Sequence, residues 1–335
     1  MKVSLVSTVR NAGPHIQEFL ASVRLQTRPP DEVVIVDGGS TDGTAEALER
    51  AQGVTVIIEP GANISRGRNL GIRTATHDVL ALSDADCILA RDWLERLLAP
   101  LERGADVAAG FYRPLASSFL QVCAGAVALP EPGELRPGWL PSSRSVAFRR
   151  EAWEEAGGYP EWLEVGEDMY FNHRLLESGA RLEMAPDAVV LWRVRPTLGQ
   201  TWRQYARYAA GDAVAGMYPE RHLVRFTTYA GVTAALATRK RALIAPAAVG
   251  AAAYAATPVR RAWRRLPAGP QRLVAVVAVP AMMAFIDAAK MWGYVAGLGS
   301  PGGELRNDCP SERSLTRAST ALMRCRPGWP AGPAR

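Results

Sequence analysis

Cysteine is scarce in this chain: four in 335 residues, at positions 87, 123, 309 and 325. They show neither metal-ligand spacing nor the density of a disulfide framework, so both are excluded as organising principles. Histidine is equally scarce, and its four positions, 15, 77, 173 and 222, form no cluster. A histidine-based metal site is excluded with it. The opening Met1-Lys2-Val3-Ser4-Leu5-Val6-Ser7-Thr8 lacks the apolar run of a signal peptide and reads as a first strand. The expected place of work is therefore the cytoplasm. No internal repeat is visible, and few aromatics lie among the basic residues, which argues against a nucleic-acid partner.

What is present is a globular composition, 48% hydrophobic and 21% charged, with the charge split along the chain. Residues 1–212 carry 22 Lys and Arg against 28 Asp and Glu; residues 213–335 carry 17 against 5. A basic last third on an acidic body suggests two jobs, and an anionic membrane surface is the partner that fits the basic part.

The first half alternates strand-like and helix-like stretches. Val3–Ser7, Glu32–Val36, Val54–Ile58, Val79–Leu82 and Asp106–Phe111 read as strands. Between them come a helix after Pro14, one capped by Ser40-Thr41-Asp42 and running to about Arg50, one over Arg66–Ala75, and one capped by Asp92 and running through Leu101. That order predicts a parallel sheet covered by helices on both faces, with ligands beyond the carboxyl ends of the strands. Residues 112–142 hold Pro130, Pro132, Pro137 and Pro141 with little periodicity, and read as an irregular excursion or substrate loop. Order returns with Ser145–Phe148, a helix at Arg150–Ala156, and another starting near Glu167.

Asp84-Ala85-Asp86 follows the apolar Leu80–Ser83. Two carboxylates at a strand end are hard oxygen ligands suited to Mg²⁺ or Mn²⁺, and an ion there could offset charge on a departing diphosphate. Helix capping is the plainer role for the same residues. Asp37 ends the second strand before a glycine-rich turn, where it could accept hydrogen bonds from a base or ribose or simply close the turn. Arg66, Arg68 and Asn69, around the start of the third helix, could reach a base or diphosphate or lie on a solvated face.

Taken in order, these segments resemble the family-2 glycosyltransferases, which have the GT-A fold. Ser7-Thr8-Val9-Arg10-Asn11 is similar to the family's first-strand end and the stretch from Glu32 to Thr44 to its "VDGGSTDGT" block. Ser65 to Gly71 is similar to its "RNxG" helix, Asp84-Ala85-Asp86 to its metal motif, and Gly166-Glu167-Asp168 with Phe171 and Arg174 to its "GED" segment. The resemblance runs over about residues 1–215. It implies an inverting single displacement from a nucleotide-sugar, with Asp168 as the base that deprotonates the acceptor. It implies donor contacts from Thr8, Arg10, Asp37, Arg66, Arg68, Asn69 and Asp84. Mn²⁺ or Mg²⁺ would sit at Asp86, with Asp84 on ribose or reaching the metal through water. Gln204 and Arg207, in a stretch similar to the family's Gln-x-x-Arg-Trp block, would with Glu167 serve the acceptor or diphosphate. Tyr208 stands where Trp is more usual, which argues against processive polymerisation. Gly38 replaces a frequent second Asp, and Trp192-Arg193 a frequent His; Arg193 or Arg195 could bind phosphate instead.

The expected division is a GT-A domain over 1–215, a basic, apolar, membrane-associating helical region over 216–299, and a disordered tail over 300–335. Within the second, Ala242–Ala256 and Leu273–Ala284 are apolar runs broken by Pro246 and Pro280. Arg260, Arg261, Arg264, Arg265 and Arg272 lie between them, against the positive-inside tendency of a spanning hairpin. A re-entrant or interfacial pair on the cytoplasmic face, its arginines on lipid headgroups, fits better, and a lipid-linked or saccharide acceptor is expected. The alternative is a helical C-terminal subdomain buried against the body, as Asp287 and Lys290 inside the second apolar segment suggest. A scaffold of the same fold without catalysis is the competing reading, opposed by the intact Asp84, Asp86 and Asp168. A nucleotidyltransferase would need a glycine-rich basic loop that Val9-Arg10-Asn11-Ala12-Gly13 does not supply.

Overall fold

The computed structural model describes residues 1–135 and 138–299; the tail expected over 300–335 lies outside them. One sheet of eight strands runs in the order β3-β2-β1-β4-β7-β6-β8-β5. Its parallel part consists of β1 (Val3–Val9), β2 (Glu32–Asp37), β3 (Thr55–Ile58) and β4 (Val79–Leu82). The crossovers between them are α1 (His15–Arg24), α2 (Thr44–Glu49) and α3 (Ile64–Thr74). The strands are apolar almost throughout because both faces are covered. Val3, Leu5, Val33, Ile35, Val79 and Ala81 enter one core, and the alternating Val6, Val34, Leu80 and Leu82 enter the other.

The sheet is mixed rather than wholly parallel. β5 (Cys87–Leu89), α4 (Trp93–Glu102) and β6 (Val107–Leu115) lead into α5 (Phe119–Ala128), and β7 (Val146–Arg149) then enters between β4 and β6, antiparallel to both. The chain reaches β7 from the carboxyl ends of the parallel strands, so it has to run backwards through the sheet. Residues 142–144 are thereby delivered beside the end of β4. The segment expected to be irregular thus contains ten residues of helix. α5 shows no polar stripe because it is enclosed: Cys123 and Ala126 pack against Ala255, Ala262, Val279 and Met283. Asp92 stands at the N-terminus of α4 but makes no cap bond; its carboxylate takes Arg96 at 2.5 Å.

α6 (Arg150–Glu155) and α7 (Glu167–Glu177) cover the second core, and β8 (Leu182–Arg193) completes the sheet. Four helices follow: α8 (Leu198–Val214), α9 (Pro219–Thr238), α10 (Arg241–Arg265) and α11 (Pro270–Leu298). α10 and α11 continue through Pro246 and Pro280, each proline removing one backbone bond without ending its helix. α11 lies directly on α8. A Cβ on Gly293 would stand 2.0 Å from the Ala206 carbonyl oxygen, and one on Gly297 2.5 Å from that of Ala210. Met282, Ile286 and Ala289 of α11 share one core with Val190, Trp192 and Tyr205.

By length and composition both α10 and α11 could cross a membrane. Only 11% of the most apolar window of α10 is buried, against 39% for α11. Val249, Tyr254, Leu273, Val277 and Val295 face outward. The arginines expected on lipid headgroups are largely engaged elsewhere. Arg260 and Arg261 pair with Glu134 at 3.1 and 2.6 Å, and Arg265 with Glu131 at 2.5 Å. Arg272 donates to the Leu266 carbonyl.

Candidate active site

A cavity of about 1000 Å³ opens beyond the carboxyl ends of β1, β2 and β4, where an open α/β sheet places its ligands. Thr8 and Arg10 line it from the end of β1. α3 reaches it because glycines let the helix sit on the strand: a Cβ on Gly67 would lie 2.9 Å from Thr8 Cγ2, and one on Gly71 2.6 Å from Val6 Cγ1. That seat aims Arg68 inward. Its guanidinium, 3% exposed as a residue, donates to Asp84 Oδ1 at 2.8 Å and to Glu167 Oε1 at 2.6 Å. One fixed cation thus joins the end of β4 to the start of α7.

α7 begins at Gly166, whose φ of +90° is left-handed backbone that favours glycine. The turn places Glu167 and Asp168 at the positive end of the helix. The two acids are not equivalent. Glu167 is buried and held by Arg68. Burial, reinforced by the charge of Asp168, raises its carboxyl above the usual range despite the guanidinium. Asp168 faces the cavity, where Oδ2 accepts a hydrogen bond from Ser142 Oγ at 3.0 Å and Oδ1 accepts from the Met169 amide at 2.9 Å.

Arg144 was not singled out by sequence, yet it sits at the centre. Its Nη1 donates to Ser142 Oγ at 2.9 Å, and its Nε lies 3.4 Å from Asp84 Oδ2. The guanidinium rests 5.6 Å from the Tyr112 ring centroid and 5.3 Å from that of Trp192. Tyr208 Oη accepts from Arg144 Nη2 at 3.4 Å and from Gln204 Nε2 at 2.7 Å. The one sequence signal was a polar run, Ser142 to Ser145, placed just ahead of an apolar strand.

Asp84 and Asp86 are also unequal, the first held by Arg68 and the second not. Burial would raise the Asp84 carboxyl, but Arg68 and Arg144 outweigh it and hold it below its ordinary range. Asp86 is raised, first by burial and then by the charge of Asp84. Its nearest cation, Arg195 Nη2, is 4.0 Å from Oδ2. Two crowded carboxylates, one without a close counter-charge, form a donor set into which a hard divalent ion fits. Among the described residues no three His, Cys, Asp or Glu side chains gather into a closed metal cage. Such an ion would therefore take its remaining oxygens from substrate and water.

Of the other residues singled out by sequence, Gln204 and Arg207 line the cavity from α8. Asp37 is buried, with Oδ1 accepting from the Gly39 and Ser40 amides at 3.0 and 2.8 Å and Oδ2 without a partner among the described residues. That orphan oxygen is the kind a ligand hydroxyl or base N–H satisfies. Three donor candidates, Asp37, Arg66 and Asn69, and the metal candidate Asp86 lie outside the cavity lining. Asn69 is engaged by the Tyr159 and Trp153 backbone and ring nitrogens and by the Tyr159 carbonyl, all between 2.8 and 3.2 Å. Arg66 pairs with Glu59. Arg193 pairs with Glu18 across on α1, whereas Arg195 lines the cavity.

Comparison with known proteins finds relatives of the chain as a whole. The profile of "Glycosyl transferase family 2" matches residues 4–116, and that of "Glycosyl transferase family group 2" residues 137–286. Glycosyltransferase AglE of Haloferax volcanii is 27% identical over 221 residues, 63% of this chain and 72% of that protein. The N-acetylglucosaminyl-diphospho-decaprenol L-rhamnosyltransferase of Mycobacterium tuberculosis is 28% identical over 233 residues, 56% of this chain and 74% of that one. The crystal structure of S. aureus TarS superposes with a TM-score of 0.50 at 17% identity, over 89% of this chain and 55% of that one, a likeness of fold.

Proposed function

Because the chain belongs to the family-2 glycosyltransferases and has the GT-A fold, we propose that this glycosyltransferase works by inverting single displacement. It takes a sugar from a nucleoside-diphosphate donor and passes it to a lipid-linked or saccharide acceptor. The observation that carries the reading is convergence. Arg68, Asp84, Glu167, Asp168 and Gln204, from four separated stretches of sequence, meet around one cavity beyond the strand ends.

In this reading the donor lies over the ends of β1 and β2, with Thr8, Arg10 and the free oxygen of Asp37 toward the nucleoside. Asp168 takes the proton from the acceptor hydroxyl as that oxygen attacks the anomeric carbon. Ser142 fixes the carboxylate through the 3.0 Å hydrogen bond to Oδ2. Arg68 keeps Glu167 ionically occupied, so the proton has one free carboxylate to go to. Arg144 and Arg195 present permanent positive charge to the departing diphosphate. Asp86, with Asp84, would hold Mn²⁺ or Mg²⁺, which supplies Lewis-acid stabilisation of the leaving group.

The same reading makes residues 1–215 the transferase domain and 216–299 a membrane-associating region on the cytoplasmic face, with α10 and α11 interfacial or re-entrant. The outward apolar side chains of both helices support this. The relative that acts on a diphospho-decaprenol substrate supports a lipid-linked acceptor. A thermal-shift screen of UDP-, GDP- and dTDP-sugars with and without Mn²⁺ tests the donor reading. A metal-dependent stabilisation by one class is expected, and no stabilisation by any would sink it. Proton NMR of the product then reads the anomeric configuration; retention would overturn the single displacement.

A further inference from the structure

The cavity does not end at the proposed catalytic acid. It continues past Gly166 to α9 and α11, where Arg221, Arg225 and Lys290 join Arg203 and Arg207 of α8 along its wall. Lys290 is the telling residue. It is half-buried, and its ammonium lies 5.2 Å from the Tyr205 ring centroid. Among the described residues it makes no ion pair or hydrogen bond. Its nearest acids are committed elsewhere. Asp287, one turn earlier on α11, accepts from Arg225 Nε at 2.8 Å with one oxygen and from Tyr229 Oη at 3.1 Å with the other. Asp212 Oδ2 takes both Arg221 and His222, at 3.0 and 2.9 Å. Arg225 and Arg221 lie close enough to repel the Lys290 charge. Arg203 and Arg207 likewise lack carboxylate partners among the described residues.

An unpaired, half-buried ammonium among other cations is costly unless something anionic meets it. Besides Asp84, Glu167, Asp168 and Asp212, the exposed Glu164 is the one further carboxylate among the described residues of the lining. The apolar surface begins immediately beyond, at the exposed Leu223 and Val224 of α9 and Trp292 and Val295 of α11.

We propose that the cavity end between α8, α9 and α11 is an anion subsite, with Lys290 at its floor, that binds the phosphate or diphosphate of the acceptor. This rests on the transferase reading and narrows its acceptor to a phosphate-bearing one. A phosphate held there leaves a sugar hydroxyl directed back along the cavity to Asp168, and leaves a lipid chain, if present, on the apolar faces of α9 and α11. No bond is made or broken at the subsite. Lys290 acts by positioning.

The test uses the full chain in detergent micelles, with the donor subsite filled by a saturating nucleoside diphosphate and Mn²⁺. Farnesyl diphosphate and inorganic pyrophosphate are titrated into the wild type, Lys290→Met and Lys290→Arg by calorimetry. Lys290→Met is expected to weaken binding of the diphosphate probe about tenfold or more, with Lys290→Arg retaining most of the affinity. Nucleoside diphosphate binding and melting temperature are expected to stay near wild type in both. A lipid-linked source makes farnesyl diphosphate bind at least about tenfold tighter than pyrophosphate; a soluble phosphosugar source makes the two alike. Equal binding of the probes to wild type and Lys290→Met overturns the inference. So does a wild type that holds the nucleoside diphosphate but neither probe. A wild type that fails to bind any nucleoside diphosphate overturns the donor reading as well, which separates the two failures.

Discussion

Arg68 holds two carboxylates that would otherwise repel. Removing one partner of a buried ion network leaves the others uncompensated, at a cost of about 3–5 kcal/mol. Arg68→Met is expected to lower the urea midpoint accordingly, and the added change Glu167→Gln is expected to recover part of the loss. Asp168 should behave differently. Asp168→Asn keeps the shape and the Ser142 hydrogen bond but cannot take a proton, so turnover is expected to fall roughly 10²- to 10⁴-fold with nucleotide affinity unchanged. Near-normal turnover would remove it as the base. His173, buried and hydrogen-bonded to Tyr218 Oη at 2.8 Å, gives a pH dependence. Burial lowers its folded pKa to about 4 from an ordinary 6.5. As pH falls from 6.5 toward 4, the unfolded chain takes up a proton that the buried ring refuses. Stability is therefore lost across that window and is constant above it, by at most about 3 kcal/mol. Melting curves of the wild type and His173→Gln at several pH values should diverge below pH 6.5 and run parallel above it.

At the scale of elements, the sequence disclosed what was repetitive. The four parallel strands were visible because strands covered on both faces are unbroken apolar runs, and the helix carrying Arg68 because Ser65 to Gly71 resembles a known segment. What stayed hidden was enclosed or interrupted. α5 has no polar stripe, and β8 is broken by Pro186-Asp187 in mid-strand. β7 reads as a strand, but nothing in four residues tells its direction. Arg144 was missed for the same reason, since its place beside Asp84 follows from that reversal. The contact of α8 with α11 was equally illegible, because it depends on carbonyls rather than on side chains. There is no room for a side chain at Gly297. Gly297→Leu is expected to cost about 1–3 kcal/mol or more, lowering the melting temperature by several degrees. It should also depress turnover, because Gln204 and Arg207 ride on the helix that has to move.

For the whole molecule, the charge split does not divide the described residues into separate bodies. Arg260, Arg261 and Arg265 tie α10 to the turn that follows α5 through Glu131 and Glu134. Membrane attachment should then depend mainly on apolar area, which salt does not screen. Cell fractionation is expected to leave the protein with membranes at both low and high ionic strength, and recovery in the soluble fraction at both would remove that reading. The packing of α11 on α8 also bears on how the protein can be handled. Its composition invites a fragment ending at residue 215, freed of its apolar helices for easy expression. Such a fragment would lack Met282, Ile286 and Ala289, which complete the core shared with Val190 and Trp192. It would carry a bared strip of alanines at 206, 210 and 213, and would be sticky and inert. Trimming for solubility has to begin after α11 and not before it.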